Sequence, residues 1–323
     1  MENTMEFIKG LKEFQDLIKE KKSNNLTHSY MLISKDNYLL QLFSKALAGL
    51  ILCKDNLCTT CTHCQKVIAD SHPDIFIYPK DKDIKKDDIN DIREHLAYKP
   101  FEADGKVFLL DKFSTANDTS QNKLLKSLEN PPQNTYFILC VNNEIPVLPT
   151  IFSRCKKIYL QPLSEDKIED FIRPIAQNAN TKNIASIAGG SLDKAVNLVQ
   201  NNSYMQSYDV VLEVLERLNK SSTMLPLCAK MYAKAQSLEE ILEIMESVLE
   251  DVLYIRLNRQ NLITNKHLKD RLIAIAEKYS ADCVDLIIKK IYEIRKQIDF
   301  NCARNGLIDN LLLYILEVKY LCK

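Results

Sequence analysis

The chain has 323 residues, 46% hydrophobic and 27% charged, so it has the composition of a globular protein of roughly two or three domains. Its 43 basic and 43 acidic residues give a formal net charge of zero, which argues against a protein held to nucleic acid mainly by charge. The 6 glycines, where an average usage of ~7% predicts about 23, exclude a collagen-like chain and disfavour glycine-rich phosphate-binding loops.

The sequence carries no targeting or membrane signal. No run of roughly 18 apolar residues occurs, and the N-terminal segment has acidic residues and no unbroken apolar core. We therefore expect a cytoplasmic protein with no membrane partner. Thiols stay reduced in that compartment, so the 10 cysteines are expected to bind metal or to pack as small hydrophobic side chains.

The first half of the chain alternates short β-branched or aromatic runs with helical stretches, which is typical of strands joined by crossover helices in a parallel sheet. The predicted strands lie near Tyr30–Ile33, Ile75–Tyr78, Val107–Leu110, Tyr136–Val141 and Lys157–Tyr159. The predicted helices lie near Leu39–Leu52, Lys85–Leu96 and Thr119–Leu128. Two prolines after Asn130 should end the last of these helices, since proline cannot continue one. This half is predicted to be α/β.

The second half of the chain is predicted to be all-α. Ser164 is a suitable N-cap for a helix with acidic residues in its first turn, and no strand is predicted after it. Apolar residues then recur at three- and four-residue steps over 238–253 and 286–294. The pair Gly189-Gly190 is predicted to separate two helices. We expect a domain boundary at 162, a small helical domain over 163–204 and a larger one over 205–323.

Four cysteines crowd into residues 53–64 with the spacing C-x4-C-x2-C-x2-C, namely Cys53, Cys58, Cys61 and Cys64. Two-residue spacers let neighbouring thiolates converge on one ion, and four thiolates make a closed tetrahedral zinc site with no open position for water. The spacing therefore predicts a structural zinc module inserted in the α/β domain. Two alternatives stay open: scattered core cysteines, and His63 as a substitute ligand.

Several segments occur in a characteristic order, and LLKSLENPP and SRC are the most specific of them. In chain order they are Thr27–Leu32, the cysteine cluster, Ser71–Asp74, Lys106–Asp111, Asn122–Pro132, Thr135–Leu139 and Leu148–Cys155. Together they resemble the bacterial clamp-loader AAA+ family of DNA polymerase III, in particular its delta-prime branch. The resemblance is dense over 27–160 and thinner afterwards, although Asn301–Leu313 resembles the last collar helix of the family. It implies an AAA+ P-loop-type parallel sheet domain, a small helical lid domain and a C-terminal helical collar for oligomerisation.

The resemblance implies a degenerate phosphate loop. ATP-using members carry G-x-x-x-x-G-K-[ST] after the first strand, where backbone amides and the lysine bind phosphates and the hydroxyl holds magnesium. Aligned from Tyr30, this chain has Ser34 at the first glycine and Leu39, Leu40 and Gln41 at the Gly-Lys-Thr positions. No ATP is therefore expected on this chain.

The positions that resemble the magnesium and sensor sites are altered in the same way. Asp111 ends an apolar strand where the family has its magnesium-binding aspartate, but Lys112 stands in place of the glutamate that would polarise the attacking water. Asp193 stands where the resemblance places a sensor arginine, with Lys194 one residue away. The resemblance thus implies no intrinsic ATPase activity.

The Ser153-Arg154-Cys155 motif is intact. The resemblance implies that Arg154 is an arginine finger, supplied in trans to the ATP site of a gamma/tau-type neighbour. A surface arginine in a local ion pair is the plainer alternative. The function implied is that of a non-catalytic subunit of the DNA polymerase III holoenzyme, a nucleotidyltransferase complex. It would scaffold, with gamma/tau and delta subunits, the ring that loads the sliding clamp on primed DNA.

Two competing functions remain open at this point. The first is an active ATPase of the same fold that uses a divergent phosphate loop, for which nothing near Ser34 replaces the missing glycines or lysine. The second is a zinc-bearing nucleic-acid-binding protein unrelated to replication, against which stand the balanced charge and the absence of an aromatic stacking pattern.

Overall fold

The computed structural model describes residues 2–176, 181–200, 202–234, 238–265, 268–299 and 304–321. The chain forms two compact units, residues 1–162 and 163–323. Across the described ranges, none of the helices combines the length and the apolar character that a membrane span needs. The first three residues of the Asn301–Leu313 segment lie outside the described residues.

The first unit is built on a five-stranded parallel sheet with the order β2-β3-β4-β1-β5. Its strands are β1 Ser29–Ile33, β2 Ile75–Tyr78, β3 Lys106–Leu110, β4 Thr135–Val141 and β5 Lys156–Tyr159. All five predicted strands are confirmed. The inner strands β1, β3 and β4 are buried almost throughout, which explains why they form continuous apolar runs rather than alternating ones.

Seven helices accompany the sheet in the described part of this unit. They are α1 Glu2–Lys9, α2 Lys12–Lys22, α3 Asn37–Leu52, α4 Thr62–Ile68, α5 Lys86–Leu96, α6 Asp118–Glu129 and α7 Pro149–Phe152. Helices α3, α5 and α6 confirm the predictions, and α6 ends at Glu129, directly before Asn130 and the two prolines. The sequence patterns did not predict α1, α2, α4 or α7.

The two faces of the sheet are covered by different helices. On one face, Phe108 of β3 packs in a buried cluster with Ile89 of α5 and Leu124 of α6. On the other face, α3 packs against β1, β3 and β4. The carboxyl ends of the parallel strands, the N-terminus of α3 and the α7 turn therefore all lie at positions fixed by the core.

The second unit is helical, and no strand occurs among its described residues. Its helices are α8 Glu165–Ile172, α9 Thr181–Ala188, α10 Leu192–Gln200, α11 Asn202–Arg217, α12 Ser221–Lys234, α13 Leu238–Arg256, α14 Lys269–Ala276, α15 Ala281–Asp299 and α16 Arg304–Leu321. The prediction of an α/β half followed by an all-α half is confirmed.

Two local predictions in the second unit have different outcomes. Gly189 and Gly190 separate α9 from α10 with φ of +57° and +93°, a left-handed backbone that favours glycine, so the predicted helix end is confirmed. The proposed boundary between residues 204 and 205 falls inside the continuous helix α11. The chain has no break there, and the division of this half into two domains stays a prediction.

Candidate functional site

The Ser153-Arg154-Cys155 motif forms the turn between α7 and β5. Pro149 occupies the first helical position of α7, where its missing N–H costs nothing. The N–H of Ser153 donates to the Pro149 carbonyl at 3.0 Å, and the N–H of Arg154 donates to the Ile151 carbonyl at 3.0 Å. Cys155 is buried and anchors the turn in the core. The backbone at Arg154 is therefore held by these hydrogen bonds on its N-terminal side and by the buried Cys155 on its C-terminal side.

Arg154 forms an ion pair with Glu129 at the C-terminal end of α6. Its Nε donates to Glu129 Oε1 at 2.7 Å, and its Nη2 donates to the same oxygen. Its Nη1 donates to the Thr150 carbonyl at 2.8 Å and lies 3.3 Å from Ser153 Oγ. A guanidinium has five N–H donors. These four hydrogen bonds leave at least one Nη2 N–H available for a further acceptor such as a phosphate oxygen.

The residues at the phosphate-loop position form the N-terminus of α3. The carboxylate of Asp36 accepts the backbone N–H of Leu39 at 2.8 Å, and Ser34 Oγ accepts the N–H of Asp36 at 3.2 Å. Leu39 and Leu40 are buried, and Gln41 is exposed. A helix N-terminus is a site where phosphate binds to free N–H groups. In this chain the Asp36 carboxylate already accepts one of the N–H groups at this helix N-terminus, that of Leu39.

Four of the residues predicted for the nucleotide site line one small cleft. Its walls are formed by Asn37, Leu40, Gln41, Asp111, Lys112, Cys140 and Asn142. The cleft volume of about 20 Å³ has room for roughly one water molecule. Burial raises the pKa of Asp111 from its ordinary value of 3.8, while Lys112 is exposed with a φ of +50°. Ser34 and Leu39 do not line this cleft.

The four cysteines of the cluster come together in space. Their sulfur atoms all lie within 4.8 Å of one another, and Cys53 Sγ is 3.7 Å from both Cys58 Sγ and Cys61 Sγ. Tetrahedral coordination with Zn–S bonds of ~2.3 Å places sulfurs about 3.8 Å apart. The cysteine geometry therefore fits a tetrahedral metal ion.

Backbone N–H groups point at the same sulfurs. The N–H groups of Cys58, Cys61 and Cys64 donate to the preceding sulfur of the cluster at 3.4, 3.3 and 3.4 Å. The pKa of Cys58 is lowered from 9.0 to about 6, chiefly by the hydrogen bond that its sulfur accepts from the N–H of Cys61. The lowered pKa favours a thiolate at Cys58, the form that binds metal, whereas burial raises the pKa of Cys61 and of Cys64.

The Lys21 ammonium, on α2, is a neighbour of the cluster that sequence patterns did not reveal. It donates to the carbonyls of Leu50 and Cys53, and burial lowers its pKa. A zinc ion with four thiolates carries two negative charges, so a cation at this place would offset part of that charge. No motif marks Lys21, since its contact with Cys53 spans 32 positions of the chain.

His63, the alternative ligand, is hydrogen-bonded elsewhere. Its Nδ1 lies 3.0 Å from Nε2 of His72, whose own Nδ1 accepts the N–H of Asp74 at 3.1 Å. His72 is buried, and its Nε2 is 3.6 Å from Glu102. Because Nδ1 of His72 accepts a hydrogen bond, the single ring proton of the neutral imidazole lies on Nε2. A metal bound at Nε2 would have to displace that proton while Nδ1 also stays unprotonated. The four sulfurs are therefore the better donor set.

In the second unit, the sensor positions show no arginine and a local ion pair. Asp193 lies in the first turn of α10, where its charge is favourable to the helix dipole. Lys194 pairs with Glu243 at 3.0 Å. Both residues therefore have structural roles within the helical unit.

Two family profiles match the chain. One, described as DNA polymerase III, delta subunit, matches residues 11–164. The other, described as DNA polymerase III, delta subunit, C terminal, matches residues 202–313. The first match lies almost entirely in the first structural unit, and the second match lies within the second unit.

The chain is also similar to individual proteins and to one solved structure. The chain is 24% identical over 315 residues to the DNA polymerase III delta' subunit of Bacillus subtilis, covering 91% of this chain and 92% of that protein. It is 31% identical over 169 residues to the delta' subunit of Haemophilus influenzae, covering 50% of this chain and 52% of the relative. A crystal structure of a DNA polymerase III gamma subunit-related protein from Thermotoga maritima aligns with a TM-score of 0.46 at 17% identity, covering 95% of this chain and 99% of the other.

Proposed function

The chain belongs to the clamp-loader family of bacterial DNA polymerase III, and from this membership we propose that it is a delta-prime-like subunit that hydrolyses no ATP itself. Its partners would be the gamma/tau and delta subunits, and through them the sliding clamp and primed DNA. Its place of work would be the bacterial cytoplasm, where the chromosome is replicated. Its own contributions would be scaffolding and one arginine donated to a neighbouring ATPase subunit.

The N-terminus of α3 carries the proposal that this chain binds no nucleotide. The Asp36 carboxylate accepts the N–H of Leu39 at 2.8 Å, at the point where a bound phosphate would need that donor. A phosphate placed there would also meet the negative charge of Asp36 without the lysine that Leu40 replaces. Electrostatic repulsion and a missing cation both oppose ATP at this position.

Arg154 supports the second part of the proposal. In a neighbouring ATP site, water adds to the γ-phosphorus while the bond to the β–γ bridging oxygen breaks, giving ADP, inorganic phosphate and a released proton. Charge builds on the γ-phosphate oxygens during this step, and an arginine from another subunit stabilises it. Arg154 is about one-third exposed on a backbone held by the core, with an N–H donor to spare.

We also assign a structural zinc ion to Cys53, Cys58, Cys61 and Cys64. The sulfur spacing and the backbone N–H donors suit a closed site of four thiolates. Such a site supplies folding energy and leaves no position at which zinc could activate water.

The proposal is tested in a clamp loader reconstituted with its partner subunits. Arg154→Ala should lower the rate of ATP hydrolysis at the neighbouring site roughly 1,000-fold. The total ATPase rate stimulated by DNA and clamp should then fall by the fraction that this site contributes. Arg154→Lys should not restore it, because an ammonium lacks the guanidinium fork. Arg173→Ala is the matched control, since Arg173 also pairs with carboxylates and is 61% exposed.

A second measurement separates the two parts of the proposal. Isothermal titration of ATP into the isolated chain should show no binding, whereas an active divergent ATPase would bind it and lose it in Asp111→Ala. Unchanged stimulated ATPase in Arg154→Ala would exclude the arginine-finger role.

A further inference from the structure

We infer that Glu129 is the positioning residue for Arg154, an inference that rests on the proposed arginine-finger role. Glu129 is the last residue of α6, within the LLKSLENPP segment, and it pairs with Arg154 across 25 residues of the chain. Nothing in the scaffolding role explains why a carboxylate should face the finger. The geometry of the pair supplies a reason.

The contact uses one edge of the guanidinium. Both Nε and Nη2 of Arg154 donate to a single oxygen of Glu129, while Nη1 donates to the Thr150 carbonyl. Nη1 also lies 3.3 Å from Ser153 Oγ, so the donor left over is the second N–H of Nη2. A phosphate oxygen can therefore bind this second Nη2 N–H while Glu129 keeps its hydrogen bonds to Nε and Nη2. Glu129 and the phosphate do not compete for the same N–H groups.

The anchor points of this pair are rigid. Glu129 ends a helix that Leu124 and Leu128 fix in the core, and proline follows at 131 and 132. The Thr150 carbonyl belongs to α7, whose Ile151 is fully buried. An arginine side chain otherwise samples many rotamers, and each misplaced rotamer leaves the transition-state charge unsupported. Glu129 thus pre-orders the finger before the neighbour arrives.

The pair contributes little to folding. The side chains of Arg154 and Glu129 are 32% and 41% exposed, and ion pairs this exposed stabilise proteins only weakly. A substitution at Glu129 should therefore leave the unfolding temperature and the assembly of the complex unchanged. Its consequence should appear in the turnover of the neighbouring ATP site.

The test is a double-mutant cycle in the reconstituted clamp loader. Glu129→Ala should lower the turnover of the neighbouring site roughly ten-fold, with the KM for ATP unchanged, because the finger is less often in place. Glu129→Gln, which keeps an acceptor oxygen without the charge, should retain an intermediate rate. In an Arg154→Ala background, Glu129→Ala should change nothing further. Glu94→Ala, an exposed glutamate on α5, is the control.

The outcomes distinguish this inference from the proposed function. If Arg154→Ala lowers the ATPase and Glu129→Ala does not, the finger stands and the positioning role is wrong. An increased rate in Glu129→Ala would mean that Glu129 competes with the phosphate, which also overturns it. An equal loss from Glu129→Ala with and without Arg154 would place Glu129 in some other role. No effect of Arg154→Ala would remove the arginine-finger proposal itself.

Discussion

Asp111 is a carboxyl group at the end of β3 that burial holds towards its protonated form. Cys140 lies beside it, and the charges of Lys45 and Lys112 offset only part of the burial. In a site that binds magnesium and phosphate, such a half-buried carboxylate is stabilised by the metal. If the chain binds no nucleotide, as proposed, the charged form of Asp111 lowers the free energy of unfolding, because burial raises its pKa.

Asp111→Asn should therefore stabilise the chain at neutral pH. The folded-state pKa of Asp111 lies above 3.8, so the folded state binds more protons between 3.8 and that pKa, and the free energy of unfolding falls as the pH rises through this window. Asparagine carries no charge and removes that fall. In urea unfolding from pH 4 to pH 7, the free energy of unfolding of the variant should increase relative to that of the wild type as the pH rises.

The matched control for this measurement is Asp104→Asn. The Asp104 side chain is 84% exposed, and its pair with Lys54 at 3.3 Å is equally open to solvent. Its substitution should shift the urea midpoint by a small and nearly constant amount. Equal pH dependence in wild type and Asp111→Asn would contradict the assignment of a half-buried, destabilising carboxyl group.

Among single residues, the sequence predicts Arg154 as a candidate functional residue but does not predict its partner Glu129. Three consecutive residues of a motif were enough to single out Arg154. Glu129 is 25 positions away, and only the packing of α6 and α7 brings the two side chains together. Lys21 could not be predicted for the same reason, since it is 32 positions away from the Cys53 carbonyl that it contacts. Contacts of this kind depend on the tertiary fold rather than on local spacing.

The N-cap of α3 offers a prediction at the scale of one element. The Asp36 carboxylate satisfies the N–H of Leu39, and helix caps of this type contribute about 1 kcal/mol. Asp36→Ala should lower the free energy of unfolding by about that amount, whereas Asp36→Asn should nearly retain it. Urea denaturation checks both. Equal losses in the two variants would show that the charge, and not the cap, stabilises this helix.

The cysteine module, residues 53–64, is an element whose structure is expected to depend on a bound metal. Its left-handed residues Asn56, Leu57 and Thr59 fold the chain tightly between the cysteines. The module is seated closely on α3, because a Cβ added at Gly49 would lie 2.6 Å from Leu57 Cδ1. Its order should depend on the metal as well as on this contact with α3.

Loss of one thiolate should be visible directly in metal content. Cys64→Ser should lower zinc affinity on the order of 100-fold or more and increase hydrogen exchange over residues 53–70. Zinc content is measured by plasma mass spectrometry and exchange by mass spectrometry of peptides. Cys228→Ala is the control, because Cys228 is a buried cysteine outside the cluster and should leave one zinc per chain. Full zinc in Cys64→Ser would remove this residue from the ligand set.

The elements found from sequence and those missed differ in how they are stabilised. The strands were predicted because burial on both faces forces a continuous apolar run, as in Phe108–Leu110. Helices α1 and α2 are short, and their positions depend on distant partners such as the contact of Lys156 with Glu20. Helix α4 begins at the cysteine cluster, where the sulfur of Cys61 caps the helix by accepting the N–H of Cys64. Local periodicity does not carry that information.

At the scale of the whole molecule, the chain consists of two units with separate cores. The first surrounds the parallel sheet with residues such as Phe108 and Phe137, and the second is built from helices with fully buried residues such as Leu249 and Ile287. The change from strand-forming runs to helical periodicity at Pro162 reflects this division. Arg154, the cysteine cluster of residues 53–64 and the cleft beside Asp111 all belong to the first unit.

Separate cores predict that unfolding of the full chain takes place in two transitions that respond to different perturbations. A zinc chelator should lower the urea midpoint of the first unit alone, because the cysteine module lies within residues 1–162. Leu249→Ala, in a fully buried position of α13, should lower only the other transition, by roughly 2–5 kcal/mol. Hydrogen exchange in rising urea assigns each transition to its unit. A chelator that shifted both transitions equally would show that the two cores unfold as one.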